Sequence, residues 1–99
     1  MAERLYEAYL EPPARRVFDE LSDAQQEEVW RLIQLLELDP SPDGSVKVVV
    51  QLPPVVVTVY THPNWWIMYH VPRPGRIAID AIRPAWPPPD WAPGAFFRR

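Results

Sequence analysis

Apolar positions dominate the second half of the chain. Val55 to Arg83 reads VVVTVYT-HPN-WWIMYHV-PRPG-RIAIDAIR, three short apolar runs separated by His62-Pro63-Asn64 and Pro72-Arg73-Pro74-Gly75. Valine, isoleucine, threonine and aromatics suit a pleated surface better than a helix, and the connections are short enough for hairpins. The pattern predicts an antiparallel three-stranded meander. Pairing Thr61 with Trp65 sets Val59 opposite Ile67 and Val57 opposite Tyr69, because paired residues share a face. One face then holds Val55, Val57, Val59, Trp65, Ile67, Tyr69, Val71, Ile77, Ile79 and Ala81, an apolar set expected to form the core. The other holds Val56, Thr58, Tyr60, Trp66, Met68, His70, Arg76, Ala78, Asp80 and Ile82 and is expected to stay open.

Upstream, the apolar period lengthens. Ala14, Val17, Phe18 and Leu21 recur at the spacing of one helical face behind Pro12-Pro13, and proline is tolerated in a first turn. Ser22-Asp23-Ala24-Gln25 has the capping-box form and predicts a second helix over 22–38, with Val29, Leu32, Ile33 and Leu36 on its buried stripe and Trp30 at the edge. Pro40 ends it, since the residue before a proline avoids helical angles. Together the segments form a helical hairpin that needs a sheet to cover. Val46 to Gln51 reads as a further short strand, cut from the meander by Pro53-Pro54. Arg4 to Glu11 fits a strand or a helix equally well by period alone.

Composition narrows the function classes. Ninety-nine residues make one domain. With no cysteine, disulfides and thiolate metal sites are excluded, which fits a reducing, cytoplasmic setting. No apolar run approaches the roughly 20 residues that span a bilayer, and MAERLYEAYLEPP lacks the basic-then-apolar order of a signal peptide. Residues 1–45 carry eleven acidic against four basic side chains, whereas residues 46–99 carry six basic against two acidic. Any phosphate-binding surface therefore belongs to the sheet half. Two histidines without convergent carboxylates make no metal signature, and glycine-rich phosphate loops and a serine elbow are absent, so no cofactor is expected.

The order of a strand, PPARRVFDEL, a capped helix ending LLELDP, and a meander containing WWIMY resembles the RelE/ParE toxin superfamily. The similarity spans residues 4–83 and lies in the order of elements and hydrophobic positions. It implies an α+β domain, β-α-α-β-β-β, over residues 1–83, with residues 4–11 a strand and the helix pair packed on one face of a twisted sheet. Residues 84–99 form a proline- and aromatic-rich tail. The resemblance further implies the toxin-like component of a toxin–antitoxin pair, an antitoxin-like protein partner, and ribosome-dependent mRNA cleavage or gyrase poisoning. The nuclease pattern is degenerate here. Trp66 stands where an arginine is frequent before V-I-Y, valines and Thr58 occupy positions that are often basic, and Pro84-Ala85 replace a histidine or lysine followed by arginine. A non-enzymatic interaction module on the same fold is the alternative.

For acid–base work the chain offers His70 on the open face, opposite Arg76 or Ala78 depending on register, with an ordinary pKa near 6.5 suited to proton transfer. His70, Arg76 and Arg83 are the candidate catalytic residues. Lys47, Thr58, Tyr60, Trp66, Met68, Trp86 and Trp91 are the candidate binding residues. Aromatics on an open sheet stack bases when a basic surround accompanies them, and otherwise meet a protein partner or a cover from the same chain. The tail, PAWPPPDWAPGAFFRR, is a candidate for that cover through Trp86 or Trp91.

Overall fold

The computed structural model describes residues 5–86 and has the order β1 (Glu7–Leu10), α1 (Pro12–Glu20), α2 (Asp23–Leu38), β2 (Lys47–Leu52), β3 (Val55–Thr61), β4 (Trp65–Arg73) and β5 (Arg76–Pro84). This is the expected α+β class. The four strands after the helices match the count of apolar runs and exceed by one the β-α-α-β-β-β order. The sheet order is β1-β5-β4-β3-β2, antiparallel except that β1 lies parallel to β5, so the sheet is mixed.

Local chemistry sets the helices. Pro12 and Pro13 open α1, where their missing N–H groups cost nothing. Ser22 Oγ accepts from the Gln25 amide at 3.2 Å and Gln25 Oε1 accepts from the Ser22 amide at 3.0 Å, a complete capping box. Gln26 Nε2 donates to the Phe18 carbonyl at 2.8 Å and clips the two helices together. The buried stripe is as expected: Val29, Leu32, Ile33 and Leu36 from α2 and Ala14 from α1 meet Trp65, Ile67, Tyr69, Ile77 and Ile79 of the sheet.

The last turn of α2 also closes a sheet edge. The Tyr6 amide donates to the Glu37 carbonyl at 3.2 Å, and the Ala8 amide donates to Glu37 Oε2 at 2.8 Å. An exposed strand edge is a template for foreign strands, and on β1 a buried carboxylate and a helix end take that role.

One expectation fails, with a large consequence. Strand β3 pairs with β4 as Thr61↔Trp66, Tyr60↔Ile67, Val59↔Met68 and Thr58↔Tyr69, one residue away from Thr61↔Trp65. The turn takes two residues, Pro63 and Asn64, because the His62 amide already donates to the Trp65 carbonyl at 2.9 Å. A slip of one residue turns every side chain of a strand to the other face. Tyr60 therefore packs against the helix-covered core, while Val57 and Val59 join Trp66 in a second cluster on the opposite face. Val57 does not meet Val29, Ile33 and Leu36.

A second irregularity lies between β4 and β5. Met68 pairs with Ala81 and Tyr69 with Ile79, which leaves Asp80 as an inserted residue. Beyond this bulge the parity reverses, so Ile82 pairs with Ile67 and enters the helix-side core, and Ala81 turns to the open face with Met68. Val71, expected in the core, is exposed.

Candidate functional site

The face of the sheet away from the helices holds the chemistry. Val57, Val59 and Trp66 form its buried floor, with Val50, Met68 and Ala85 packed around them. Beside this floor opens a pocket of about 460 Å³ walled by Val55, Val56, Val57, Met68 and Ala81, with His70 and Asp80 as its polar members. In a regular ladder neighbouring residues alternate faces, whereas a bulge re-aims the inserted side chain. Asp80 stands two residues beyond Ala78, the ladder partner of His70, and so shares the face of His70 by alternation, while the bulge turns Ala81 to the same face.

His70 Nδ1–H donates to Asp80 Oδ2 at 2.8 Å. An ionised carboxylate only accepts, so Nδ1 carries a hydrogen in this contact and Nε2 is left outside it. Nε2 has no partner among the described residues. The pocket thus combines apolar walls with one hydrogen-bonded imidazole–carboxylate pair.

The candidate cations do not converge. Lys47 pairs with Tyr60 and so belongs to the helix side, where its Nζ donates to the Asp39 carbonyl at 2.7 Å. Arg76 lies toward the His70 end of β5, with its guanidinium 4.9 Å from the centre of the Tyr9 ring, a cation–π contact. Arg83 pairs with Trp66 at the far end of the same strand, about 20 Å from Arg76 at the usual rise per strand residue. The Nε atoms of Arg76 and Arg83 are both buried without a hydrogen-bond partner among the described residues.

The binding candidates divide between the two faces. Trp66 and Met68 lie on the open face, whereas Thr58 and Tyr60 follow the register to the helix side. Burial pushes the Tyr60 phenol up. Trp86 is 74% exposed just beyond β5, and Trp91 lies outside the described residues. Asp80 is the functional residue that the choice of site residues omitted. Its signal was present as a lone acid within the apolar run IAIDAIR, on the same face as His70 by the alternation of the strand. Val55 escaped because of the β3 register and Ala81 because of the bulge in β5.

Acidic groups elsewhere are structural. Asp43 Oδ1 accepts from the amides of Ser45, Val46 and Lys47 at 2.9, 2.9 and 3.0 Å, which holds its carboxyl down at about 2. Among the described residues there is no cluster of three histidine, cysteine or acidic side chains able to hold a metal, and no helix is long and apolar enough to cross a membrane.

Neither a family model nor a curated protein matches the sequence. Among solved structures, the chain is similar to the archaeal RelE–RelB complex from Pyrococcus horikoshii OT3, with a TM-score of 0.62 and 16% identity. The match covers 84% of this chain and 98% of that one. At such low identity the likeness is one of fold, and the fold is RelE-like.

Proposed function

We propose that the chain is the toxin-like member of a toxin–antitoxin pair and that its open sheet face works by binding protein. The observation that carries this reading is the β3 register: it lines the open face with Val55, Val57 and Val59 beside Trp66 and Met68, and turns Lys47 to the other side. An apolar, weakly charged sheet face suits a protein partner, while stabilising charge on a phosphate in flight needs several convergent cations. The solved complex of similar fold is one of RelE with RelB, which supports an antitoxin-like partner for this chain.

Ribosome-dependent mRNA cleavage is the second reading, favoured by the 2.8 Å contact between His70 and Asp80. A carboxylate-oriented imidazole is a competent general acid–base group, and Arg76 and Arg83 are the cations nearest to such a role. Two measurements separate the readings. Coexpression with the product of the adjacent reading frame is expected to give a stable complex that Val55→Glu weakens without lowering the melting temperature. Incubation with translating ribosomes is expected to leave mRNA intact. Efficient cleavage that collapses in His70→Ala or Arg83→Ala overturns the binding reading in favour of the nuclease.

A further inference from the structure

The pocket holds a carboxylate that is only half satisfied. Asp80 Oδ2 accepts from His70 Nδ1 at 2.8 Å, while Oδ1 accepts from no donor among the described residues. The Asp80 side chain keeps 25% of its exposure at the pocket, so water still reaches it. A histidine is a counter-charge only when protonated, and His70 is the only ionisable partner of Asp80 among the described residues. The chain's described cations are engaged elsewhere or out of reach. Arg76 lies over the Tyr9 ring, and both it and its ladder partner Arg73 stand four residues along β5 from Asp80, or ~13 Å. Lys47 is bound to the Asp39 carbonyl on the other face, and Arg83 makes no ion pair with Asp80.

This carboxylate limits what can cover the face. A protein docked there expels the water from Asp80, and a carboxylate stripped of water among valines and Met68 opposes docking unless charge returns to Oδ1. An aliphatic side chain fits the walls and leaves the charge unmet. A hydroxyl or amide donates a hydrogen bond without cancelling the charge, and an acidic group repels it. Arginine meets both demands. Its methylene stem lies along apolar surface, and its planar guanidinium is more weakly hydrated than an ammonium and matches a carboxylate edge. A volume of about 460 Å³ is ample for one such side chain.

We propose that the pocket is an arginine subsite. The protein partner inserts one arginine, its stem against Val55, Val57 and Met68 and its guanidinium paired with Asp80, while His70 holds the carboxylate in place. The proposal rests on the protein-binding reading and adds the side chain that the partner presents. Charge matching makes the site selective: an acidic segment of equal apolar content is rejected.

The test uses the full chain labelled with ¹³C at the methionine methyl and titrated with n-butylguanidinium chloride at constant ionic strength and mildly alkaline pH. The Met68 methyl is expected to shift saturably, with n-butanol and butyrate each at least tenfold less effective. Asp80→Asn is expected to weaken binding of the probe, and of the adjacent-frame product, at least tenfold. Val56 lines the pocket and is 57% exposed, so Val56→Trp narrows the site without touching the core and is expected to give the same loss with Asp80 unaltered. The proposal fails if n-butanol shifts Met68 as well as n-butylguanidinium does, which marks a merely apolar pocket. It fails equally if both variants bind the probe like the parent, or if the probe binds only after Arg98→Gln and Arg99→Gln, which marks the chain's own arginines as the occupants. If Asp80→Asn leaves the complex intact while Val55→Glu weakens it, the arginine subsite falls and the protein-binding reading stands. If neither weakens the complex, the reading itself falls and takes the partner's arginine with it.

Discussion

The indole Nε1 of Trp65 donates to Glu28 Oε1 at 2.9 Å, and Asn64 Nδ2 donates to the other oxygen of the same carboxylate at 2.9 Å. One α2 side chain thereby holds the β4 end of the β3–β4 turn. The contact ties Trp65 to the helix side of the sheet, and with it the alternation of β4. It also explains why the turn closes around two residues: the paired His62 and Trp65 leave Asn64 free to face α2.

This carboxylate makes the fold acid-sensitive. The donors Asn64 and Trp65 lower the Glu28 carboxyl below the ordinary glutamate value. A depressed folded-state pKa contributes stability above the unfolded value of about 4.3 and loses it as pH falls through the folded one. Asp43 follows in the window from its ordinary value of 3.8 down to about 2. Thermal unfolding followed by circular dichroism between pH 7 and pH 2 is expected to show a falling melting temperature below about pH 4.5. Glu28→Gln starts lower at pH 7 and loses less on acidification. Parallel curves for the two proteins argue against a structural role for this carboxylate.

Tyr69 is the largest of the fully buried side chains, and its hydroxyl donates to the Pro40 carbonyl at 2.6 Å. Burial pushes the phenol far up. The bond pins the end of α2 to the centre of the sheet. Tyr69→Phe keeps the ring and leaves a buried carbonyl unmet, at a cost of about 1–2 kcal/mol in urea unfolding. An unchanged midpoint means that the Pro40 carbonyl finds another donor.

The two faces can be distinguished by a pair of charged substitutions. Ile67 is 0% exposed between sheet and helices, so Ile67→Asp buries an unpaired charge and costs about 4 kcal/mol or more. Val55 is 52% exposed on the rim of the pocket, so Val55→Glu stays within about 0.5 kcal/mol of the parent. Equal melting temperatures for Ile67→Asp and the parent contradict the assignment of β4 to the helix-covered core.

The helices were legible in the sequence because their signals are local. Ser22 and Gln25 bond to each other's backbone within one turn, Pro12, Pro13 and Pro40 act through their own rings, and the stripe Val29-Leu32-Ile33-Leu36 needs only the helical period. The strands were legible for similar reasons, as was the helix-side alternation Trp65-Ile67-Tyr69. The orientation of β3 was not. VVVTVYT is apolar at nearly every position, so either parity offers a plausible core, and turns of three or two residues both close the hairpin. The choice falls to distant partners: Glu28 holding Trp65 and Asn64, and Tyr60 packing into the core beneath the helices. The site was half legible for the same cause. His70, Trp66 and Met68 reach the open face by their own alternation along β4. Asp80 joins them by the alternation of β5, whereas the turn of Ala81 to this face depends on one inserted residue, whose position is decided by how Ile79 and Ile82 both reach the core. Short-range chemistry is written in neighbouring letters, whereas register is a sum over contacts between strands, and only the folded sheet carries out that sum.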